Sequence, residues 1–284
     1  MIAIADHLWQ STLFAIAAAL LTLVLRQNRA AIRFRLWLAA SLKFLLPFTL
    51  LSALGRRLAW VAPPAAFENG LRGALAGFGH PFARTFAVRD AGDPIPMLLA
   101  GIWLCGMAMV LSAWYLRWRT LAAAIREAVP LHEGREAEAL RRMQRIAGIR
   151  RPIAILLTPA SWEPGIFGIV SPVLLWPQGI SSHFDDANLE AVLSHEVWHV
   201  RRRDNLAAAL HMLVQAAFWF HPLIWWLGAR LIRERERACD EMVLGTAING
   251  EADALVTFNT RDFGDVPGRF GVELLLPREL IGRI

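Results

Sequence analysis

The segment "SHEVWHVRRRD", residues 194–204, sets two histidines four residues apart, with a glutamate directly after the first. On a helix, positions i and i+4 stand one turn apart on the same face. His195 and His199 can therefore aim two imidazoles at one tetrahedral zinc ion, with Zn–N bonds of about 2.1 Å. Glu196 is poorly placed to ligate the same ion. It can reach the ion's open position, where hydrolysis needs a base to take a proton from water. The spacing thus assigns two metal ligands, His195 and His199, and one general base, Glu196.

A third ligand is required. The downstream helical segment "ERERACDE" offers Glu234, Glu236, Asp240 and Glu241. Glu236 and Asp240 are i,i+4 and share a face. One can ligate while the other accepts the second ring N–H of a ligand histidine, the usual support of a metal-bound imidazole.

Several elements must position these groups. Asp185 or Asp186 offers an N-cap for a helix through "ANLEAVLSHEVWHVRRR". Before it, "PIAILLT" and "GIFGIVSPVLLWP" are short β-rich runs punctuated by Gly and Pro, which predicts two or three strands. Residues 131–147, "LHEGREAEALRRMQRIA", predict a charged amphipathic helix.

The rest of the chain is apolar. Of 284 residues, 56% are hydrophobic and 19% charged, and 12 are Trp, values that point to a membrane class. Three segments are apolar enough to span a bilayer, at about 8–25, 36–54 and 95–116. Trp9, Trp37 and Trp114 near their ends suit interfacial anchors. No basic n-region precedes the first segment, so it is not expected to be a cleaved signal peptide. The link "RQNRAAIRFR" carries four Arg and no acid, which places it in the cytoplasm, the N-terminus outside and the chain after Arg117 in the cytoplasm. A fourth apolar stretch, 206–227, contains His211, Gln215, His221 and Pro222, and is expected to form a re-entrant or membrane-lying helix pair rather than one span.

Other notable residues have plainer expectations. His211 and His221 are expected to be hydrogen-bonded packing residues, with an oxyanion donor role as the alternative for His221. Lys43 lies inside an expected span, either snorkelling or set against the bundle. Arg201 to Arg203 are expected to bind headgroups or nearby acids. The net charge of +6 comes from arginines at membrane boundaries, so no nucleic-acid partner is expected. Two cysteines, Cys105 and Cys239, make no disulfide framework.

"AVLSHEVWHVRRRDNL" followed by "FHPLIWWLGARLIRERERACDEMVL" resembles the BlaR1/MecR1 family of membrane zinc metallopeptidases, the M56 peptidases. The pattern E-x-x-C-D at Glu236, Cys239 and Asp240 is similar to the E-x-x-A-D of HtpX-type membrane proteases. The resemblance implies Glu236 as third zinc ligand and Asp240 as its helper beside a ligand histidine. It also implies that "GIVSPVLLWPQGI" holds an edge strand that pairs with extended substrate. The fold class expected is a membrane α-helical bundle joined to an α+β gluzincin-like zinc peptidase domain. Residues 1–120 would form the membrane region, 121–248 the peptidase domain and 249–284 a tail. That tail resembles the end of PIN-domain toxin nucleases, with Asn259 and Asp262 at metal-site positions. It is too short for that fold, so no nuclease function is expected.

The function implied is a multi-pass inner-membrane zinc endopeptidase, its peptidase domain facing the cytoplasm. Its expected partners are the lipid bilayer and a protein substrate, by resemblance a transcriptional repressor or the protease itself. The alternative is a catalytically inactive signalling or scaffold remnant of such a peptidase.

Overall fold

The computed structural model describes residues 2–47, 94–159 and 163–249, together with 254–256, 268, 271 and 273–275. Asn259, Asp262 and the end of the second expected span lie outside these residues. The chain groups into two compact units. The first comprises Met1–Asn28, Ile32–Leu111 and Leu210–Leu231; the second comprises Arg29–Ala31, Ser112–Ala209 and Ile232–Ile284.

Helix α1 covers Ile2–Val24, α2 Ala30–Lys43 and α3 Ile95–Glu127. Among the described residues, two segments, Ile4–Gln27 and Ile95–Glu127, are long and apolar enough to cross a membrane. Helix α2 starts earlier than the second expected span, inside the basic link. Ala30 N–H, at its first turn, donates to both carboxylate oxygens of Glu241, at 3.0 and 2.9 Å. A carboxylate there satisfies an orphan donor and suits the positive end of the helix dipole. The helix ends at Lys43, and a turn through Leu46 leads into Pro47, which disfavours helix before it.

The first unit buries polar groups, each against a partner. Lys43 is 6% exposed and its Nζ donates to Ser11 Oγ at 3.1 Å, so it packs inward rather than snorkelling. His211 Nδ1 lies 2.8 Å from Ser41 Oγ, and His221 Nε2 lies 3.3 Å from Thr12 Oγ1. Both histidines are thus hydrogen-bonded packing residues. Trp219 lies over Gly106, where an added Cβ would come within 2.0 Å of the indole. Trp103 Nε1 donates to the Ala217 carbonyl at 2.7 Å, and Trp219 Nε1 to the Trp103 carbonyl at 3.2 Å. The fourth apolar stretch is broken, as its proline predicts. Helix α6 (Asp204–Ala217) ends in a turn, and α7 (Pro222–Asn249) starts with Pro222, whose missing N–H costs nothing at a first helical position.

The second unit carries a four-stranded mixed sheet, order β1-β2-β4-β3. Its strands are β1 (Val129–Leu131), β2 (Ala154–Thr158), β3 (Gly165–Phe167) and β4 (Val173–Pro177). β1 pairs antiparallel with β2, β2 parallel with β4, and β3 antiparallel with β4. Two expectations need correction. The amphipathic helix α4 runs Arg135–Ile146, starting four residues later than 131. Gly134 at φ 113 sets the helix entry, and Leu131 belongs to β1 instead. Second, the apolar part of "GIVSPVLLWPQGI" is β4, an interior strand; the edges are β1 and β3.

Helices α4 and α5 (Asp186–Arg202) pack on this sheet. The core joins Leu140 and Met143 of α4, Ile155, Leu174 and Trp176 of the sheet, and Leu189, Leu193 and Val197 of α5. The last three are i, i+4 and i+8, one apolar stripe. Fully burying such a side chain stabilises the fold by about 1.5–3 kcal/mol. The stripe turns the neighbouring positions His195, Glu196 and His199 off the core. β5 (Ala254–Val256) and β6 (Glu273–Leu275) form a short parallel pair.

Candidate metal centre

Helix α5 is well capped. Asp185 Oδ1 accepts from Asn188 N–H at 2.7 Å. At the other end Arg203 takes the left-handed conformation, φ 58, and stops the helix as a C′ residue does. Helix α6 begins at the next residue, Asp204.

The histidines and Glu236 converge. His195 Nε2 and His199 Nε2 lie 3.2 Å apart. Glu236 Oε2 is 3.4 Å from His195 Nε2 and 3.7 Å from His199 Nε2. A tetrahedral ion with bonds of about 2.1 Å holds its ligands about 3.4 Å apart, so the three atoms already have the spacing zinc requires. Two imidazoles and a carboxylate, with a fourth position left for water or substrate, are also the donor set of catalytic zinc sites. The residues present therefore fit the ion.

Each would-be ligand has a second partner. Glu236 Oε1 accepts from Arg235 Nε at 2.9 Å and Nη2 at 2.6 Å, which leaves Oε2 turned toward the histidines. His195 Nδ1 faces Asp240 Oδ1 at 3.5 Å, the contact expected of Asp240. His199 Nδ1 faces Asp204 Oδ2 at 2.8 Å. Asp204 was not among the residues the sequence pointed to. It is 1% exposed, and Arg202 Nη2 lies 3.4 Å from its Oδ1. The same arginine donates through Nη1 to the Arg235 carbonyl at 3.0 Å and approaches Cys239 Sγ at 3.4 Å. Of the three arginines, Arg202 thus pairs with a nearby acid, and Arg201 lies over the Trp198 ring at 5.0 Å.

Cys239 Sγ is 3.3 Å from His199 Nδ1, and His199, Asp204 and Cys239 also form a potential ligand cluster. Burial pushes the Cys239 thiol far above its ordinary range, against the opposing charge of Arg202. A thiol that resists ionisation is a poor nucleophile, and the His199 Nδ1 it faces is already taken by Asp204 Oδ2 at 2.8 Å. The cluster reads instead as the support for His199.

The electrostatics call for a cation. Burial by itself would lower His195, but hydrogen bonds to Asp240 and Glu236 and the charge of Glu196 raise it to about 10. Burial would raise Glu236, but His195, Arg235 and His199 outweigh it and hold the carboxyl at about 2. Glu196 is pushed up by burial, against the histidines and the Ile166 N–H, which donates to its Oε2 at 3.1 Å.

A proton on His195 must leave when a metal binds. Because its metal-free pKa is raised, the proton competes at neutral pH, and raising the pH removes the competitor. Apparent zinc affinity should rise about tenfold per pH unit between about pH 7 and 9. Competition against a chromophoric chelator across that range measures it, and an affinity independent of pH would contradict this account.

The sequence profile of the BlaR1 peptidase M56 family matches residues 6–252. Regulatory protein BlaR1 of Bacillus licheniformis is 35% identical over 89 residues, 31% of this chain and 15% of that protein. The methicillin resistance mecR1 protein of Staphylococcus aureus is 27% identical over 82 residues, 29% of this chain and 14% of that protein. The matched segments thus span about a seventh of these relatives' own length. Since the family profile covers most of the 284 residues, the chain belongs to the BlaR1 peptidase M56 family.

Proposed function

We propose that the chain is an integral membrane zinc endopeptidase with a gluzincin-like site. His195, His199 and Glu236 hold the ion, with Asp240 and Asp204 orienting the two imidazoles. The observation that carries this reading is the spacing of the three ligand atoms, 3.2, 3.4 and 3.7 Å. When bound, zinc supplies a Lewis acid that polarises a peptide carbonyl and acidifies water. Glu196 takes a proton from water as its oxygen adds to the carbonyl carbon. It then returns that proton to the leaving amine as the C–N bond breaks. Arg235 holds Glu236 Oε1 and leaves Oε2 facing the histidines.

The substrate is a cytosolic or membrane-proximal protein, and the role is regulatory. That part rests on relatives named as a regulatory protein and a methicillin resistance protein. The basic segments around α1, α2 and α3 support an inner-membrane protein with its N-terminus outside and its site facing the cytoplasm.

The test is proteolysis by the purified chain in detergent. Cleavage of an unfolded protein substrate should stop after chelation and return on adding one equivalent of zinc. Cleavage that persists in metal-stripped protein would remove zinc from the reading.

A further inference from the structure

Ile166 is the middle residue of the edge strand β3, and the two helices of the site hold both of its backbone polar groups. Its N–H donates to Glu196 Oε2 at 3.1 Å, and its carbonyl accepts from Asn205 Nδ2 at 3.1 Å. The same Nδ2 donates to the Gly168 carbonyl at 3.0 Å. Both acceptors are carbonyl oxygens, so this amide must present its NH2 group, one hydrogen to each.

β3 is three residues long and, among the described residues, has one neighbouring strand, so few ladder bonds fix it. It leaves for β4 through Gly168 at φ 93, where an added Cβ would lie 2.6 Å from the Ser171 carbonyl oxygen. Asn205 grips the strand at its centre and at this turn. It follows Asp204 at the start of α6. The left-handed turn at Arg203 therefore aims two consecutive side chains, Asp204 at His199 and Asn205 at β3.

We propose that Asn205 is a positioning residue that straps β3 to the site helices, fixing the Ile166 N–H that holds one carboxylate oxygen of Glu196. The inference rests on the reading of Glu196 as the base. Fixing one oxygen fixes the direction of the other, and a misplacement of about 1 Å at a reacting group costs about 10²-fold in rate. With its N–H held by Glu196 and its carbonyl by Asn205, Ile166 has neither group free for an added peptide strand.

Hydrogen exchange of the metal-free full chain in detergent, read by mass spectrometry on the peptide spanning 163–168, tests the strap without any activity assay. Asn205→Leu keeps nearly the same shape and removes both donors. Exchange in this peptide should rise about tenfold, as two lost hydrogen bonds allow, with β2 and β4 unchanged. Zinc content should stay at the wild-type value, kcat should fall about tenfold or more, and KM should stay within about twofold. Asn205→Gln, which keeps the amide, should recover part of both effects. If Asn205→Leu does not fold, Asn205→Ser, too short to reach both carbonyls, is read in the same way. Unchanged exchange, or raised exchange with wild-type kcat, overturns the strap. If the wild-type chain cleaves nothing while the exchange result appears, the strap on β3 stands and the reading of Glu196 as base is what fails.

Discussion

Glu196→Gln should keep its zinc and lose proteolysis by about two to four orders of magnitude, the range that a positioned general base contributes. The substitution is nearly isosteric. Its amide oxygen can still accept from the Ile166 N–H, now 3.1 Å from Glu196 Oε2, so the link between α5 and β3 survives. An amide cannot take up a proton, so water is no longer activated. Stability should not fall, because burial disfavours the charged form of Glu196 and the variant removes that charge. Metal analysis, thermal unfolding and cleavage rate on one preparation provide the three readings. Full zinc with unchanged cleavage would sink Glu196 as the base. Equal loss of zinc and activity would show that the residue serves the metal instead.

The second large effect concerns metal affinity. Structural zinc sites bind with about 10–16 kcal/mol spread over about four ligands, roughly 2.5–4 kcal/mol apiece. Glu236→Ala should thus weaken zinc binding by roughly two to three orders of magnitude. It also frees Arg235 from Glu236 Oε1, which leaves a cation beside the site and adds to the loss. The carboxylates behind the histidines should cost less, about 10- to 100-fold each. Between them the geometry predicts an order. Asp204 lies 2.8 Å from His199 and is 1% exposed, whereas Asp240 lies 3.5 Å from His195. Asp204→Asn should therefore weaken binding more than Asp240→Asn. Competition titrations of the three variants against the wild type decide it. A wild-type affinity for Glu236→Ala would exclude Glu236 from the ligand set.

Much of the candidate site is legible in the sequence because it depends on helical periodicity. His195 and His199 are one turn apart, and Glu236 and Asp240 share a face for the same reason. That the second helix meets the first followed from the need for a third ligand, and the family resemblance chose Glu236 as that ligand; two helices about 40 residues apart carry no local signal of contact. Strands β2, β3 and β4, an N-cap at Asp185 or Asp186 and the break before Pro222 were also legible, because each follows from turn chemistry or capping within a few residues, whereas β1 was not. The interior place of β4 had a signal too. "VLLWP" is a continuous apolar run, which suits a buried strand parallel to β2 better than an edge.

What the tertiary structure alone decided is where Asp204 and Asn205 point. Five residues along an α-helix turn through about 500°, so Asp204 on a continuous helix would point well away from the face of His199. The left-handed residue Arg203 breaks the helix and turns the chain back. Asp204 then reaches the imidazole it supports, and Asn205 reaches the edge strand that holds Glu196. Nothing in "HVRRRDN" marks Arg203 for that conformation, which ordinarily favours glycine or asparagine. Local periodicity determined which groups could do chemistry; one unfavourable backbone angle, sustained by the packing of α5, α6 and β3, decided what holds them in place.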